Sequence, residues 1–390
     1  MLSEKARKFI DGRRGEFAAI KAALEGNVNP VVWVHCASYG EFEEVRPVVE
    51  EFRKIRPDRK IFLTFFSPSG YEHFKNDPLA DYVFYLPIET PLNVKRFLDL
   101  VRPEKMILSI SDFWPGFLHG LRRRGIPAYL SSACFTPGMS YFKPQGYIYR
   151  DLFRRCFRKI IVRDEGSLQL LEGIGVKNAM IVGDPRMDRV LEIAAEPWSD
   201  PIVDKWAGGR KVFVAGSTLR DEDEVVTCDL ANAHPDDKFL IIPHEIGAEE
   251  VNGILSGIKG SCAVYSRFKD GDESAQVLIV DKVGMLSRLY RYGFAAYVGS
   301  GFDCSPHSII EPAAYGIPVS YGPKFGSYRH CQGLIDAGGG ISISNSEELS
   351  KWYDSLVSDP AVLEAAGSAA RKYCVDGSGV ASKIAAEIAE

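Results

Sequence analysis

The sequence predicts an α/β protein of two doubly wound domains, each a parallel sheet covered by helices. Short apolar runs alternate with helix-length amphipathic segments almost throughout, and such alternation implies parallel strands joined by right-handed crossovers. The rhythm breaks at EPWSDP (196–201) and restarts at RKVFVAGS (210–217). At 390 residues the chain also exceeds what a single core usually serves.

In the first half the predicted strands are VVWVH (31–35), KIFLTFF (60–66), YVFYL (82–86), KMILSI (105–110), PAYLSS (127–132) and KIIVR (159–163). Between them lie helical patterns such as EFEEVRPVVEEFRKI (41–55) and PLNVKRFLDLV (91–101). After 210–217 the strands are KFLIIP (238–243), CAVYS (262–266), AQVLIV (275–280), FAAYVG (294–299) and IPVSYG (317–322). The segment KYCVDGSGVASKIAAEIAE (372–390) ends in an Ala-rich helix expected to pack back on one of the domains. The expected organisation is an N-terminal domain over 1–190, a linker over 191–209, a second domain over 210–375 and a C-terminal helix over 376–390.

A hydrophobic content of 46% and a charged content of 25% are ordinary for a soluble globular protein and exclude disorder. The net charge of -5 hides an asymmetry: residues 1–190 carry 30 Lys and Arg against 23 Asp and Glu, and residues 191–390 carry 17 against 29. A basic half suits an anionic partner, although scattered surface charge accounts for it equally well. The eight cysteines form no C-x-x-C pair, so neither a zinc knuckle nor a disulfide framework is expected, and a reducing cytoplasm fits. No signal peptide opens the sequence, and no apolar run reaches the ~18 residues of a membrane-spanning helix.

Strand-then-glycine turns occur at ASYGE (37–41), AGST (215–218) and VGSGF (298–302). None is G-x-G-x-x-G or G-x-x-x-x-G-K-[ST], so dinucleotide and P-loop readings have little support. Such turns can aim backbone N–H groups and hydroxyls at an anion. Glu41 falls where a helix begins, which suits either the positive end of the helix dipole or a cleft at the carboxyl end of a parallel strand. The carboxylates of DEDE (221–224) and DGDE (270–273) suit a helix start and solvated loops better than a cation site, and His35 reads as structural or exposed. In SGFDCSPHSIIEPAAYGIPVSYGP (300–323), His307 and Glu311 stand four apart, as on one helix face. That pair could be an ordinary surface pair, or could offer a carboxylate to a ribose and an imidazole to a phosphate.

The succession GE (40–41), SPSG (67–70), DFWP (112–115), GDPRMDRV (183–190), AGST (215–218), PHE (243–245), VLIVDKVGMLSRLYRYGFAAYVGSGF (277–302) and HSIIEPAAYGIPVSYGP (307–323) resembles the 3-deoxy-D-manno-octulosonic acid (Kdo) transferases of lipid A assembly. The resemblance runs from about Val31 to Gly340. It implies the GT-B glycosyltransferase fold, two Rossmann-like domains with a cleft between them. It also implies transfer of Kdo from CMP-Kdo to the glucosamine disaccharide of a lipid A precursor, inverting and without metal or other cofactor. By resemblance Glu41 is the general base, kept ionised by the helix N-terminus. Ser217 and Thr218 form the phosphate turn, Gly284 belongs to the loop that meets cytosine, and Ser300, Gly301 and His307 lie beside the leaving phosphate. Glu311 takes the ribose, Arg186 is the candidate for the donor's carboxylate, and Ser67, Ser69, Gly70 and Asp112 fall on the acceptor side.

Three motifs depart from the family patterns E-T-E-x-W-P, H-N-x-x-E and P-R-H. Ile110 and Asp112 replace its two acids, Ser308 stands where an amide is usual, and PHE lacks the arginine, leaving His244 as the nearest substitute. The charged opening MLSEKARKFIDGRRGEF replaces the usual apolar anchor, so peripheral contact with the inner membrane, or an anchor preceding this sequence, is expected. The implied place is the cytoplasmic face of the inner membrane of a Gram-negative-type bacterium, with no nucleic acid partner. Arg122, Arg123 and Arg124 fit either a helix C-terminus or a phosphate contact. The alternatives are another GT-B enzyme, a UDP-sugar transferase or epimerase, and a non-catalytic lipid- or sugar-binding relative.

Overall fold

The computed structural model describes residues 4–110, 112–326 and 328–390. The chain divides into two compact units, residues 1–189 with 378–390, and residues 190–377. The first holds β1 Val31–Cys36, β2 Lys60–Phe65, β3 Tyr82–Tyr85, β4 Lys105–Ser109, β5 Ala128–Ala133, β6 Phe157–Val162 and β7 Ala179–Ile181, in the order β3-β2-β1-β4-β5-β6-β7. The second holds β8 Val212–Thr218, β9 Phe239–Pro243, β10 Cys262–Val264, β11 Val277–Ile279, β12 Gly293–Val298, β13 Val319–Tyr321 and β14 Gly340–Ser342, in the order β10-β11-β9-β8-β12-β13-β14. Every pairing is parallel.

The central strands are buried along their whole length, as VVWVHC is on β1, because helices cover both faces of a parallel sheet. The sequence expectations omit β7 and β14, which are three-residue edge strands, AMI and GIS, too short to show any period. The helix expected over 41–55 runs Tyr39–Ile55, and the one over 91–101 runs Pro91–Val101, with the Thr90 hydroxyl accepting from Asn93 N–H.

Residues 191–209 are not a bare connection. Asp200 caps a helix Pro201–Ala207, accepting from the N–H groups of Ile202 and Val203. Trp206 in that helix is buried, and its indole N–H donates to Ala275 O at 2.8 Å. Arg122, Arg123 and Arg124 end the helix Pro115–Arg123, just ahead of β5. They therefore sit at the amino-terminal edge of the sheet, and Arg124 pairs with Asp99 and with Gly120 O.

The last helix, Val380–Ala389, belongs to the first unit. Its stripe Val380, Ala381, Ile384, Ala385 and Ile388, spaced for one helix face, packs with Val45, Val49 and Phe52 of the helix Tyr39–Ile55. Asp188 caps its first turn, accepting from the N–H groups of Gly379, Val380 and Ala381 at 2.6–3.1 Å. At the other end Lys105 Nζ donates to Ile388 O at 2.5 Å, a cation meeting the carbonyls that a helix C-terminus leaves open. Ile384→Ala is expected to lower the stability of the first unit by about 2–5 kcal/mol, the cost of a core cavity, measured by urea denaturation.

Candidate functional site

In the first sheet β1 and β4 are neighbours, yet the chain after β1 turns toward β2 on one flank and the chain after β4 toward β5 on the other. The carboxyl ends of strands at such a reversal are where open α/β sheets bind ligands. Glu41 follows β1 and Asp112 follows β4. Ser109 at the end of β4 donates to Glu41 O at 3.1 Å, which ties the two loops together.

Glu41 is half-buried in the first turn of its helix, where its Oε2 accepts from Ala37 N–H at 2.5 Å. The sequence alone suggested a carboxylate kept ionised by the helix N-terminus. Burial wins instead, with smaller contributions from the charges of Asp112 and Glu44, and the group is raised from 4.5 to about 7 despite the Ala37 hydrogen bond. Loss of water penalises the charged form more than the dipole and one N–H favour it.

Asp112 is clamped. Its Oδ2 lies 2.9 Å from the Trp114 indole nitrogen and 3.2 Å from His35 Nε2, while His35 Nδ1 lies 2.8 Å from Thr64 Oγ1. His35 is fully buried on β1; the sequence reading set it aside because nothing local marks a partner 77 residues away.

Of the residues expected to meet the acceptor, Ser67 caps the helix Pro68–Phe74, and its hydroxyl lies 3.0 Å from that of Ser69. Ser67 N–H donates to Ala37 O at 2.8 Å, which joins this loop to the end of β1. Gly70 backs onto Phe65 so closely that a Cβ would stand 2.2 Å from its ring. These residues thus shape the turn after β2 beside Glu41. Arg186 sits elsewhere. Its guanidinium grips Asp184 through contacts of 2.6–3.1 Å, with Glu44 at 3.8 Å. It braces a network with Arg163, so a donor carboxylate would share or displace its hold on Asp184.

The second sheet reverses between β8 and β12, and the predicted donor residues gather there. Ser217 ends β8 with φ 54°, and Ser300 follows β12 with φ 77°. Non-glycine residues in the left-handed region carry strain of about 1–3 kcal/mol each. Thr218 is 2% exposed, and its Oγ1 has no hydrogen-bond partner, so a donor hydroxyl is left for a ligand or a water. Gly301 lies against Gly322, where a Cβ would come within 2.5 Å of backbone. Gly284 adopts φ 85° in an exposed loop.

Asp223 holds these turns together and was missed by the sequence reading, which took DEDE for a helix start. Buried to 2%, it accepts from Leu219 N–H at 2.9 Å after β8, from Ser300 N–H at 2.7 Å after β12 and from the Tyr297 hydroxyl at 2.5 Å. The helix start is real, Glu222–Ala233, but one of its acids points inward.

His307 and Glu311 do not share a helix face. The helix is only Ile310–Ala314, because Pro312 lacks an N–H and its ring would clash with a helical carbonyl at Ser308. His307 instead stacks on His244 with ring centroids 4.3 Å apart and planes at 21°, and burial followed by the neighbouring imidazole lowers it to about 4. The His244 side chain is exposed, and its backbone N–H donates to Thr218 O at 3.0 Å. Glu311 is half-buried near Tyr290, whose buried phenol it helps keep protonated.

The sequence profile of the 3-deoxy-D-manno-octulosonic-acid transferase (kdotransferase) family matches residues 11–189. The match spans all the strands of the first unit. Beyond it, the chain is 26% identical over 332 residues to the 3-deoxy-D-manno-octulosonic acid transferase of Aquifex aeolicus, covering 83% of this chain and 85% of that one. With its counterpart from Haemophilus influenzae it is 23% identical over 366 residues, covering 90% and 85%. In fold it is similar to the UDP-GlcNAc 2-epimerase of Neisseria meningitidis solved with UDP-GlcNAc, with a TM-score of 0.65 over 92% of this chain and 98% of that one, at 15% identity. Two parallel seven-stranded units with such neighbours make this a GT-B-type α/β protein. The residues that match the family profile include Glu41, His35, Asp112 and the SPSG turn, and the residues expected to meet the donor, apart from Arg186, lie in the second unit. Among the described residues no helix is long and apolar enough to cross a membrane, and no three His, Cys, Asp or Glu side chains gather as metal ligands.

Two outcomes follow from this geometry. Asp223→Ala leaves three buried donors without an acceptor and is expected to lower the stability of the second unit by at least about 3 kcal/mol, read from chemical denaturation. Glu41 binds its proton more tightly folded than unfolded, so its contribution to stability is present below pH 4.5 and is lost as pH rises through about 7. Glu41→Gln, which keeps an acceptor for Ala37 N–H, is expected to be more stable than the parent above pH 7 and to lose that advantage below pH 4.5, measured as melting temperature against pH.

Proposed function

We propose that the protein transfers Kdo from CMP-Kdo to the glucosamine disaccharide of a lipid A precursor, in lipopolysaccharide biosynthesis, by direct displacement with inversion and without a metal. The observation that carries this reading is Glu41: a carboxylate at the β1/β4 reversal of the unit that matches the Kdo transferase profile, raised to about 7, which is where a general base works best near neutral pH. In the reaction Glu41 takes the proton of a sugar hydroxyl as that oxygen bonds to the anomeric carbon. The bond from that carbon to the phosphate oxygen breaks, and CMP departs with the electron pair.

The second unit supplies the donor contacts. The turn Ser217–Thr218, with its unpartnered hydroxyl, the backbone at Ser300 and Gly301, and the stacked His244 and His307 suit the phosphate whose charge grows in the transition state. Glu311 suits the ribose hydroxyls and the loop at Gly284 the base. Ser67, Ser69, Gly70 and Asp112 shape the acceptor side. Arg186 is the candidate for the donor's carboxylate, which it would meet in exchange for part of its hold on Asp184. The +7 balance of residues 1–190 suits an anionic acceptor and the anionic lipids of the inner membrane's cytoplasmic face, met peripherally.

The test is Kdo transfer to a tetraacyl lipid A precursor in detergent, with CMP-Kdo formed in situ. Glu41→Gln is expected to lose about 10²-fold or more in rate while still binding CMP. The parent's kcat/KM should fall as pH drops below about 7, since a protonated Glu41 cannot accept a proton. Equal rates for the two proteins would leave Glu41 a helix cap, and CMP binding without transfer by either would point to another acceptor.

A further inference from the structure

An imidazole at the centre of a buried strand needs partners, and those of His35 settle its tautomer. The Trp33 indole N–H can only donate, and it does so to Thr64 Oγ1 at 2.8 Å. Thr64 then has one hydrogen to place, on His35 Nδ1 at 2.8 Å or on Val34 O at 3.4 Å. Thr64 Oγ1 can serve either ring tautomer, since a hydroxyl accepts twice and donates once, so the carboxylate at the other nitrogen decides: facing Asp112 Oδ2, which can only accept, Nε2 carries the ring proton and Nδ1 accepts from Thr64. That N–H faces Asp112 Oδ2 at 3.2 Å, and the Trp114 indole N–H, which lies 3.1 Å from Nε2 itself, reaches the same oxygen by its shorter contact, 2.9 Å. A chain of donors thus runs from Trp33 through Thr64 and His35 to one carboxylate oxygen.

The far end of the chain is open. Asp112 is 27% exposed while His35 is fully covered, and Asp112 Oδ1 takes no hydrogen bond among the described residues. The backbone just before it is strained, with the β-branched Ile110 at φ 54°, a conformation that a plain turn would avoid. Asp112 also lies close enough to Glu41 for its charge to act on it. The remaining titratable groups around the pair are Cys36 on β1, Glu44 beside Glu41, Glu89 after β3 and Tyr141 after β5. None of these is a cation that could take over the clamp.

We infer that His35 is a positioning residue: from within β1 it holds the Asp112 carboxylate oriented beside Glu41, so that Asp112 Oδ1 accepts a hydrogen bond from the acceptor sugar and aligns it for attack. This rests on the transfer reading. It also gives the shortened acid of the DFWP stretch a use, because the imidazole and indole fix a carboxylate that has one carbon less to reach with.

The test compares His35→Leu, which removes the donor, with His35→Gln, whose amide N–H can stand near Nε2, in the parent and in an Asp112→Asn background. His35→Leu is expected to lower kcat/KM for the acceptor by about 10²-fold, the scale of a misplaced reacting group, and His35→Gln to recover most of it. In the Asp112→Asn background the same His35→Leu change should cost little more, since linked residues are not additive. Nitrogen-15 NMR of the histidine rings in the full chain, independent of activity, should show a His35 Nε2–H tautomer whose resonance shifts in Asp112→Asn. Equal damage from Leu and Gln, an undiminished cost in the Asp112→Asn background, or an Nδ1–H tautomer would overturn the inference. If the parent itself transfers no Kdo, the transfer reading fails, and the aligning role assigned to His35 and Asp112 fails with it. The NMR arm then shows whether the clamp exists without that role. Should His35→Leu not fold, the Asp112→Asn kinetics and the NMR result decide.

Discussion

A buried carboxylate must find hydrogen-bond donors, and in each unit the carboxylate that follows the first strand finds them in the turn it has just left. Glu41 accepts from the N–H of Ala37 and Asp223 from the N–H of Leu219, each four residues back. Each therefore fastens a helix start to the carboxyl end of a strand at the point where the sheet reverses. The placement of both candidate sites depends on this contact, because it decides where the turn after β1 and the turn after β8 can go.

The two units put the same device to different ends. Asp223 is covered and reaches across to Ser300 N–H and the Tyr297 hydroxyl, so its charge is fully used in joining β8 to β12. Glu41 has one backbone donor, and the residue across the reversal from it is not a donor but another acid, Asp112. A carboxylate facing like charge and partly stripped of water holds its proton up to near neutral pH. One arrangement makes a rigid cradle whose turns are strained at Ser217 and Ser300 and whose Thr218 hydroxyl is left unpartnered. The other leaves a carboxylate that gains or loses its proton near neutral pH.

The first unit is completed only at the end of the chain. The helix Val380–Ala389 fills the apolar face of the helix that begins at Glu41's turn, and Asp188 and Lys105 hold its two ends. The helix that presents Glu41 is thus backed by residues more than 300 positions away, and its rigidity depends on an Ala-rich segment whose partner domain the local sequence leaves open.

Much of the fold was legible in the sequence, since strands buried on both faces must be short, continuous apolar runs and the helices between them must be amphipathic. The break near 196–201 and the ordered motifs through Glu41, Ser217 and Ser300 were legible for the same reason: turn chemistry and period are local properties. The edge strands β7 and β14 were not, having three residues each, nor was the place of 191–209, whose Trp206 is buried by residues such as Ala275 that lie far along the chain. His35, Asp223 and the commitment of Arg186 to Asp184 also stayed hidden. In the sequence an inward-facing acid in DEDE looks like its solvated neighbours, and a histidine on a strand looks like filler. What the sequence by itself determined is which residues can carry the chemistry and in which turns they fall. Tertiary structure alone decided which of them are dehydrated, paired or left open, because the loss of water and the approach of a partner 77 residues away depend on distances through space that no local pattern encodes.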